Sequence, residues 1–342
     1  MEALTVGNLR PEDDYMHEIG NDPSHNESMF FNFFDAGQRL GGFVRIGNRP
    51  NELHAEMTLC VFLPDGALLM QWGRIPLDDR TAFSSGGLSF RVIEPGRKLA
   101  VEYLGKAVHI TNPDELVNPG RAMRENPRVD VHLSLDVAGV GPMIGDREGN
   151  GAEAVIFLDG VGHYQQAIAA TGSLKAGSER WFVSARGVRD HSWGARIWHS
   201  IAADRSLWAS FGNEMTVIAC KTWLAGANTS DQMGCLIEHG KVTPLKEIVI
   251  HTNFRPNSYY HNHVALELTD VNGRKLGLDG EVLNYAPLRH RKEGQETVYL
   301  GQAMTRFTLG GMTTLGLSEY FDAQSRTPML IEYSLRGEPC VE

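Results

Sequence analysis

The sequence predicts an all-β protein of two domains, each a closed barrel or a curled sheet. Short apolar stretches alternate with polar residues and end at turn residues, which is the pattern of strands. The 3.6-residue periodicity of amphipathic helices is nearly absent, so we expect less than ~15% helix where a third is usual. Glycine supplies 37 of the 342 residues without any collagen repeat, which indicates many turns and bulges.

The individual strands follow from alternation and turn signals. Residues 58–63 and 67–72 flank Pro64-Asp65-Gly66 and predict a β-hairpin. A second hairpin is predicted where the alternating stretch 264–268 ends at 270–273. The best helix candidate is residues 112–116, where Pro113 stands near a first-turn position. Further strands are predicted at 207–224, 246–254, 296–309 and 328–335.

The length fits two domains better than one. The segment 171–180 is small and polar and separates two strand-rich halves of similar size. The predicted domains are therefore residues 1–180 and 181–342, two β units without a strict internal repeat.

Composition argues against several classes of protein. A net charge of −10 without a Lys/Arg run disfavours binding to nucleic acids or anionic membranes. No window holds 18 apolar residues and the polar, acidic start does not resemble a signal peptide, so membrane insertion is not expected. The four cysteines are scattered, which disfavours a disulfide scaffold or a zinc knuckle. We expect a reduced, cytoplasmic protein, and the sequence leaves open whether it forms a homodimer.

The segment 187–196 has the highest density of side chains that could take part in a reaction. It holds an acid, a histidine, a tryptophan and two arginines between glycines. If the segment is extended, Asp190 and His191 face opposite ways. A carboxylate beside an imidazole can set its tautomer or raise its pKa, and an arginine can orient an oxygen. A structural turn accounts for the same residues, with Asp190 in an ion pair and Trp193 in the core.

The run RDHSWG-x-R resembles the signature of proteins related to hydroxyneurosporene synthase (carotenoid 1,2-hydratase), AttH-like proteins and fungal Diels–Alderase-type cyclases. The chain looks closest to paired bacterial domains of unknown function. The resemblance implies two lipocalin-like (calycin-type) β-barrel domains. It also implies hydration, cyclisation or isomerisation of apolar substrates without an organic cofactor, with His191 and Trp193 matching a His-x-Trp pair. Weaker parts of the resemblance lie at 27–28, 43–50, 163–166 and 316–320.

Two further groups could contact a substrate. His163 and Tyr164, followed by Gln166, could position an oxygenated molecule or could simply end a strand. His54 and Glu56 are two residues apart and share one strand face. Inside a barrel they would form an acid–base pair, but a solvated surface pair is the favoured interpretation.

The run His261-Asn262-His263 followed by Glu267 is similar to the first cupin motif, H-x-H-x3-E. On one regular strand all three side chains face the same side, as metal ligands would need. The glycine of that motif would fall at Arg255, and a second motif is not evident. A strand edge with paired polar side chains is therefore favoured, and we expect no tightly bound transition metal.

These observations favour a cofactor-independent lyase, hydratase or isomerase that acts by proton transfer on an apolar substrate, such as a terpenoid, a steroid or a lignin-type aromatic. His191 would be the general acid or base, Asp190 its orienter or a proton donor, and Arg196 an oxygen-binding group. Trp193 and Trp198 would line the pocket and stabilise a carbocation. The alternatives are a non-catalytic lipocalin-like carrier of apolar ligands and a cupin-like metal-dependent oxygenase.

Overall fold

The computed structural model describes residues 4–77, 79–147, 162–195, 201–226, 229–256, 258–290, 296–326, 336–337 and 339–342. Strands make up 69% of the structure, which confirms the all-β prediction. Residues Pro119–Glu125 form an α-helix, α1, and none of the helices in the described part of the chain is long and apolar enough to cross a membrane. The helix candidate at 112–116 is a 3-10 turn, Pro113–Val117, which begins where the Asn112 side chain accepts a hydrogen bond from the Asp114 N–H.

Contacts divide the chain into two units. Unit 1 comprises Met1–Thr111 and Glu125–Ile197, and unit 2 comprises Asn112–Arg124 and Trp198–Glu342. The sequence places the boundary at 180/181, near a hairpin turn of unit 1. The strand that follows this turn, Glu179–Ala195, is hydrogen-bonded to two strands of unit 1, so the contacts place the boundary later in the chain.

The described residues of unit 1 form a twelve-stranded sheet. Its strands are β1 (Thr5–Gly7), β2 (His25–Asp35), β3 (Leu40–Arg49), β4 (His54–Phe62), β5 (Leu68–Pro76), β6 (Phe83–Ser85), β7 (Leu88–Glu94), β8 (Lys98–Ile110), β9 (Arg128–Gly139), β10 (Met143–Asp146), β11 (Gly162–Ala176) and β12 (Glu179–Ala195). They pair in the order β1-β10-β11-β12-β2-β3-β4-β5-β8-β7-β6. Strand β9 pairs with both β11 and β8, so the sheet curls back on itself around one apolar core.

The described residues of unit 2 form a nine-stranded sheet. Its strands are β13 (Ile201–Phe211), β14 (Met215–Leu224), β15 (Ser230–Glu238), β16 (Lys241–Phe254), β17 (His261–Asp270), β18 (Lys275–His290), β19 (Val298–Leu309), β20 (Met312–Ala323) and β21 (Cys340–Val341). They pair in the order β15-β14-β13-β20-β19-β18-β17-β16-β21. An additional pairing of β15 with β16 closes the first eight into a barrel.

The pattern of apolar residues explains which face of each strand is buried. In β9, Val131, Leu133, Leu135 and Val137 are buried and alternate with more exposed polar residues, as in a strand with one face on the core. Both predicted hairpins are present, β4–β5 and β17–β18. In the first, Gly66 adopts a φ of +93°, a conformation that favours glycine.

Strands β2 and β12 approach each other closely at Gly187. A Cβ atom at Gly187 would lie 2.0 Å from the Asn32 carbonyl oxygen. The Asn32 side chain accepts a hydrogen bond from the Val188 N–H here, at 2.9 Å. Backbone atoms cannot move aside as a flexible side chain can, so this position requires glycine.

We predict that Gly187→Ala lowers the free energy of unfolding by about 1–3 kcal/mol, the usual cost of overpacking. Gly277→Ala is the matched control, because no atom lies within 4 Å of a Cβ atom at Gly277 in β18. Denaturant unfolding of both variants measures the difference. Equal stability of the two would contradict the close approach of β2 and β12.

Candidate functional site

The inward face of unit 1 is apolar along most of its length and polar at one end. On β12, Val183 and Ala185 belong to the apolar core, whereas Arg189, His191 and Trp193 follow on the same face. The neighbouring strands β11 and β2 contribute further side chains to this polar end. His191 pairs with Tyr164 on β11 and with Met29 on β2, and Trp193 pairs with Glu27 on β2. These side chains are buried.

The Glu27 carboxylate is the centre of this polar end. His17 donates to its Oε1 from the ring Nδ1 at 2.8 Å and from the backbone N–H at 2.9 Å. His191 Nε2 donates to the same oxygen at 3.0 Å. Burial opposes ionisation of Glu27, but the hydrogen bonds from His17 and His191 and their electrostatic interaction with the carboxylate outweigh it and lower the pKa of the carboxyl. Glu27 is therefore a buried carboxylate between two histidines.

His17 is fixed on its other side as well. Its Nε2 lies 3.3 Å from Asp13 Oδ1, so both ring nitrogens face carboxylates. Its ring stacks on the indole of Trp193, with centroids 3.9 Å apart and planes 12° apart. A Cβ atom at Gly162 would lie 2.1 Å from this indole, so glycine at that position leaves room for the tryptophan.

A buried ion pair anchors the N-terminal segment that carries Asp13 and His17. Arg189 binds Asp14 through two parallel hydrogen bonds, of 2.6 Å from Nη1 and 3.0 Å from Nη2. Arg189 also donates to the Tyr164 hydroxyl and to Gln166 Oε1. Burial opposes ionisation of Asp14, but the Arg189 charge and the hydrogen bonds outweigh it, so the pKa of Asp14 is lowered. Arg189, Tyr164 and Gln166 therefore hold the segment in place.

Asp190 and His191 lie on opposite faces of β12, as the alternation predicts. Asp190 hydrogen-bonds His163 and Gln165, its neighbours on the outward face of β11. The expectation that Asp190 orients His191 is therefore not met, because a strand sends adjacent side chains to opposite sides. The carboxylate beside His191 is Glu27, 164 residues away in the sequence.

Of the other predicted site residues, His54 and Glu56 lie apart from this cluster. Arg196 and Trp198 lie outside the described residues. His54 and Glu56 are on the opposite face of β4 from its core residues, and Glu56 pairs with Arg74 at 3.0 Å. Gln166 is occupied by structural hydrogen bonds to the carbonyls of Gly96 and Gly141.

The three residues of the cupin-like run do not converge. A bulge in β17 makes Phe254 pair with His261 and Asn253 with His263, so His261 and His263 take different faces. His261 is buried with its Nε2 2.7 Å from Ser318 Oγ. His263 instead pairs with Asp279, and Glu267 with His251, both near the surface. One extra residue in the strand thus removes the shared face that the motif requires.

Sequence reasoning missed four residues of the cluster: Asp13, Asp14, His17 and Glu27. The density of acids and histidines in residues 12–27 was one available signal, but local spacing does not connect these residues to β12. Among the described residues, His17, Glu27 and His191 are also the group placed to hold a metal ion.

We predict that Asp14→Asn lowers the free energy of unfolding by about 3–5 kcal/mol, because it leaves the buried Arg189 charge without its carboxylate. Chemical denaturation at pH 7 measures this loss. Glu238→Gln removes a half-buried carboxylate paired with Arg274 and is the control, expected to cost less than about 1 kcal/mol. A similar loss in both variants would contradict an anchoring role for Asp14.

The same pair predicts a pH dependence. The folded pKa of Asp14 lies below its ordinary value, so in acid the unfolded state binds the proton first. The stabilisation is complete above the unfolded pKa, about 3.9, and is lost as the pH falls below it towards the folded pKa. We expect the stability difference between the wild type and Asp14→Asn to shrink from pH 6 to pH 3. Melting curves across this range test it, and a constant difference would contradict it.

Solved structures support the predicted resemblance at the level of the fold. An AttH protein from Nitrosomonas europaea matches with a TM-score of 0.61 and 13% identity, covering 92% of this chain and 96% of that one. CghA matches with a TM-score of 0.52 and 12% identity, covering 88% of each chain. Kievitone hydratase from Nectria haematococca matches with a TM-score of 0.50 and 10% identity, covering 94% and 96%. Identities this low show a shared fold.

A search of curated protein sequences found no match. A family model described as a domain of unknown function, DUF7064, matches residues 10–324. This range includes the whole cluster from Asp13 to Trp193 and most of both units. The chain belongs to the DUF7064 family.

Proposed function

We propose that the protein is an enzyme of the lyase, hydratase or isomerase type that transfers a proton to or from an apolar small molecule. The observation that carries this proposal is the Glu27 carboxylate, buried between His17 and His191 at the polar end of an apolar interior. A mainly apolar wall with a few convergent titratable groups is typical of small-molecule sites. Kievitone hydratase shares the fold and is a hydratase by name, which is consistent with the proposal.

His191 is the residue we assign to proton transfer. Its Nε2–H donates to Glu27, which leaves the lone pair of the neutral ring on Nδ1. Nδ1 is buried and has no hydrogen-bond partner among the described residues. The rings of Phe83 and Tyr164 lie edge-on to the imidazole, with centroids 5.2 and 5.4 Å away. Nδ1 is thus a base in aromatic surroundings, suited to a proton on an apolar molecule.

Glu27 supports this step electrostatically. When His191 accepts a proton on Nδ1 it becomes a cation, and the ionised Glu27 beside Nε2 stabilises that charge. The pKa of Glu27 is below its ordinary value, so the carboxylate carries its negative charge at neutral pH. Trp193, 5.2 Å from His191 between ring centroids, provides a π face that can stabilise positive charge on a substrate.

The reaction class can be tested before the substrate is known. The full chain is incubated with a panel of terpenoids, steroids and lignin-type aromatics in D2O or in H2¹⁸O, and the products are analysed by mass spectrometry. Proton transfer introduces solvent deuterium, and hydration also introduces ¹⁸O. We expect at least one compound to acquire label only in the presence of the protein. Compounds that bind but never acquire label would favour the lipocalin-like carrier instead.

We predict that Glu27→Gln lowers turnover of the labelled compound by ~10²-fold or more, the usual scale for losing acid–base assistance. The amide keeps the size of the side chain but cannot stabilise a protonated His191. Asp190→Asn alters a carboxylate on the opposite face of β12 and should lower turnover less than tenfold. Steady-state rates normalised to folded protein test both variants. A larger loss of turnover in Asp190→Asn than in Glu27→Gln would contradict the assignment to Glu27 and indicate that Asp190 is catalytic.

A further inference from the structure

We infer that His17, Glu27 and His191 also form a binding site for one divalent transition metal ion, such as Zn²⁺. One ligand atom from each side chain lies within 4.8 Å of the other two. The three residues come from separate parts of the chain, the N-terminal segment, β2 and β12. Two imidazole nitrogens and one carboxylate are a ligand set typical of zinc and non-haem iron sites that keep an open position.

The distances suit such an ion. Glu27 Oε1 lies 2.8 Å from His17 Nδ1 and 3.0 Å from His191 Nε2. Ligand atoms in a tetrahedral zinc site are about 3.3 Å apart, because each bond is about 2.0–2.1 Å long. An ion would replace the two ring protons that now lie between the nitrogens and the carboxylate. The two nitrogens would approach each other as they bind it.

The surroundings of His17 resemble the outer shell of a metal site. A histidine that binds a metal through one ring nitrogen usually donates its other N–H to a carboxylate. Asp13 Oδ1 lies 3.3 Å from Nε2 of His17, which leaves Nδ1 for the ion. Stacking on Trp193 fixes the plane of the ring. The His17 side chain is 17% exposed, whereas Glu27 is 2% exposed, so an ion can reach the site past His17.

Metal binding would reverse the expectation from sequence that no transition metal binds. That expectation rested on the cupin-like run and the cysteines, and the cluster found here uses neither. An ion on Nε2 of His191 displaces the proton donated to Glu27, so the metal-loaded state and the proposed proton transfer exclude each other. This inhibitory consequence rests on the proposed function, whereas metal binding itself does not.

The test is calorimetric titration of the chelator-treated full chain with Zn²⁺ at pH 7.5, a pH at which imidazoles are mostly neutral. We expect one ion per chain, and no binding of Mg²⁺, which prefers oxygen ligands. Glu27→Gln and His191→Ala should each weaken Zn²⁺ binding at least 100-fold. Asp13→Asn should weaken it about 10–100-fold, as outer-shell changes usually do. His251→Ala removes a histidine paired with Glu267 near the surface and should leave the affinity unchanged.

Absence of stoichiometric Zn²⁺ binding by the wild type would overturn the inference. Unchanged affinity in folded Glu27→Gln or His191→Ala would overturn it as well. If these variants fail to fold, the absorption spectrum of the Co²⁺-loaded wild type decides. Intense visible bands without thiolate charge transfer support nitrogen and oxygen ligands, whereas a thiolate band or the weak spectrum of hydrated Co²⁺ overturns the site. These readouts do not require the substrate, so a failed labelling experiment leaves the metal site standing.

Discussion

The ion pair between Arg189 and Asp14 holds the candidate site together. Removing two charges from water costs several kcal/mol for each ion, and the cost is offset only where geometry and hydrogen bonding are good. Here the carboxylate receives two hydrogen bonds from Arg189, one from the Tyr164 hydroxyl and one from the Gly96 N–H. Because the pair joins the N-terminal segment to β12, it also sets where Asp13 and His17 stand relative to Glu27.

Side chains alternate between the two faces of β12, so the two faces hold different sets of interacting residues. On the inward face, Arg189 anchors a segment, and His191 and Trp193 contact His17 and Glu27. On the outward face, Asp190 pairs with His163 and Ser192 hydrogen-bonds Ser28. Consecutive residues of one motif therefore belong to different environments, and adjacency in the sequence is no guide to which groups act together.

Unit 2 also contains a buried arginine, Arg205, but its effect on the neighbouring carboxylates differs from that of Arg189. Arg205 is buried, lies over the Tyr320 ring and binds both Asp322 and Glu342. Burial raises the pKa of Asp322 to about 6 despite the neighbouring Arg205. The Arg205 guanidinium is shared by two carboxylates, those of Asp322 and Glu342. The Arg189 guanidinium binds one carboxylate, that of Asp14, through two hydrogen bonds.

A buried histidine of unit 2, His261, also differs from His191. Burial, with the charge of Arg205 second, lowers the pKa of His261 well below its usual value, and its Nε2 is bonded to the Ser318 hydroxyl. His261 therefore stays neutral, and no carboxylate among the described residues is hydrogen-bonded to its Nε2. A carboxylate–imidazole pair suited to proton transfer occurs at His191, where Glu27 supplies the negative charge.

The sequence by itself determined the all-β class, both hairpins and the opposite faces of Asp190 and His191, because these depend on alternation and turn residues a few positions apart. Only the tertiary structure decided that Glu27 and His17 meet His191, since strand pairing joins positions 164 residues apart that no local pattern relates. Only the structure likewise separated His261 from His263, because one extra residue in a strand reverses the face of every side chain beyond it.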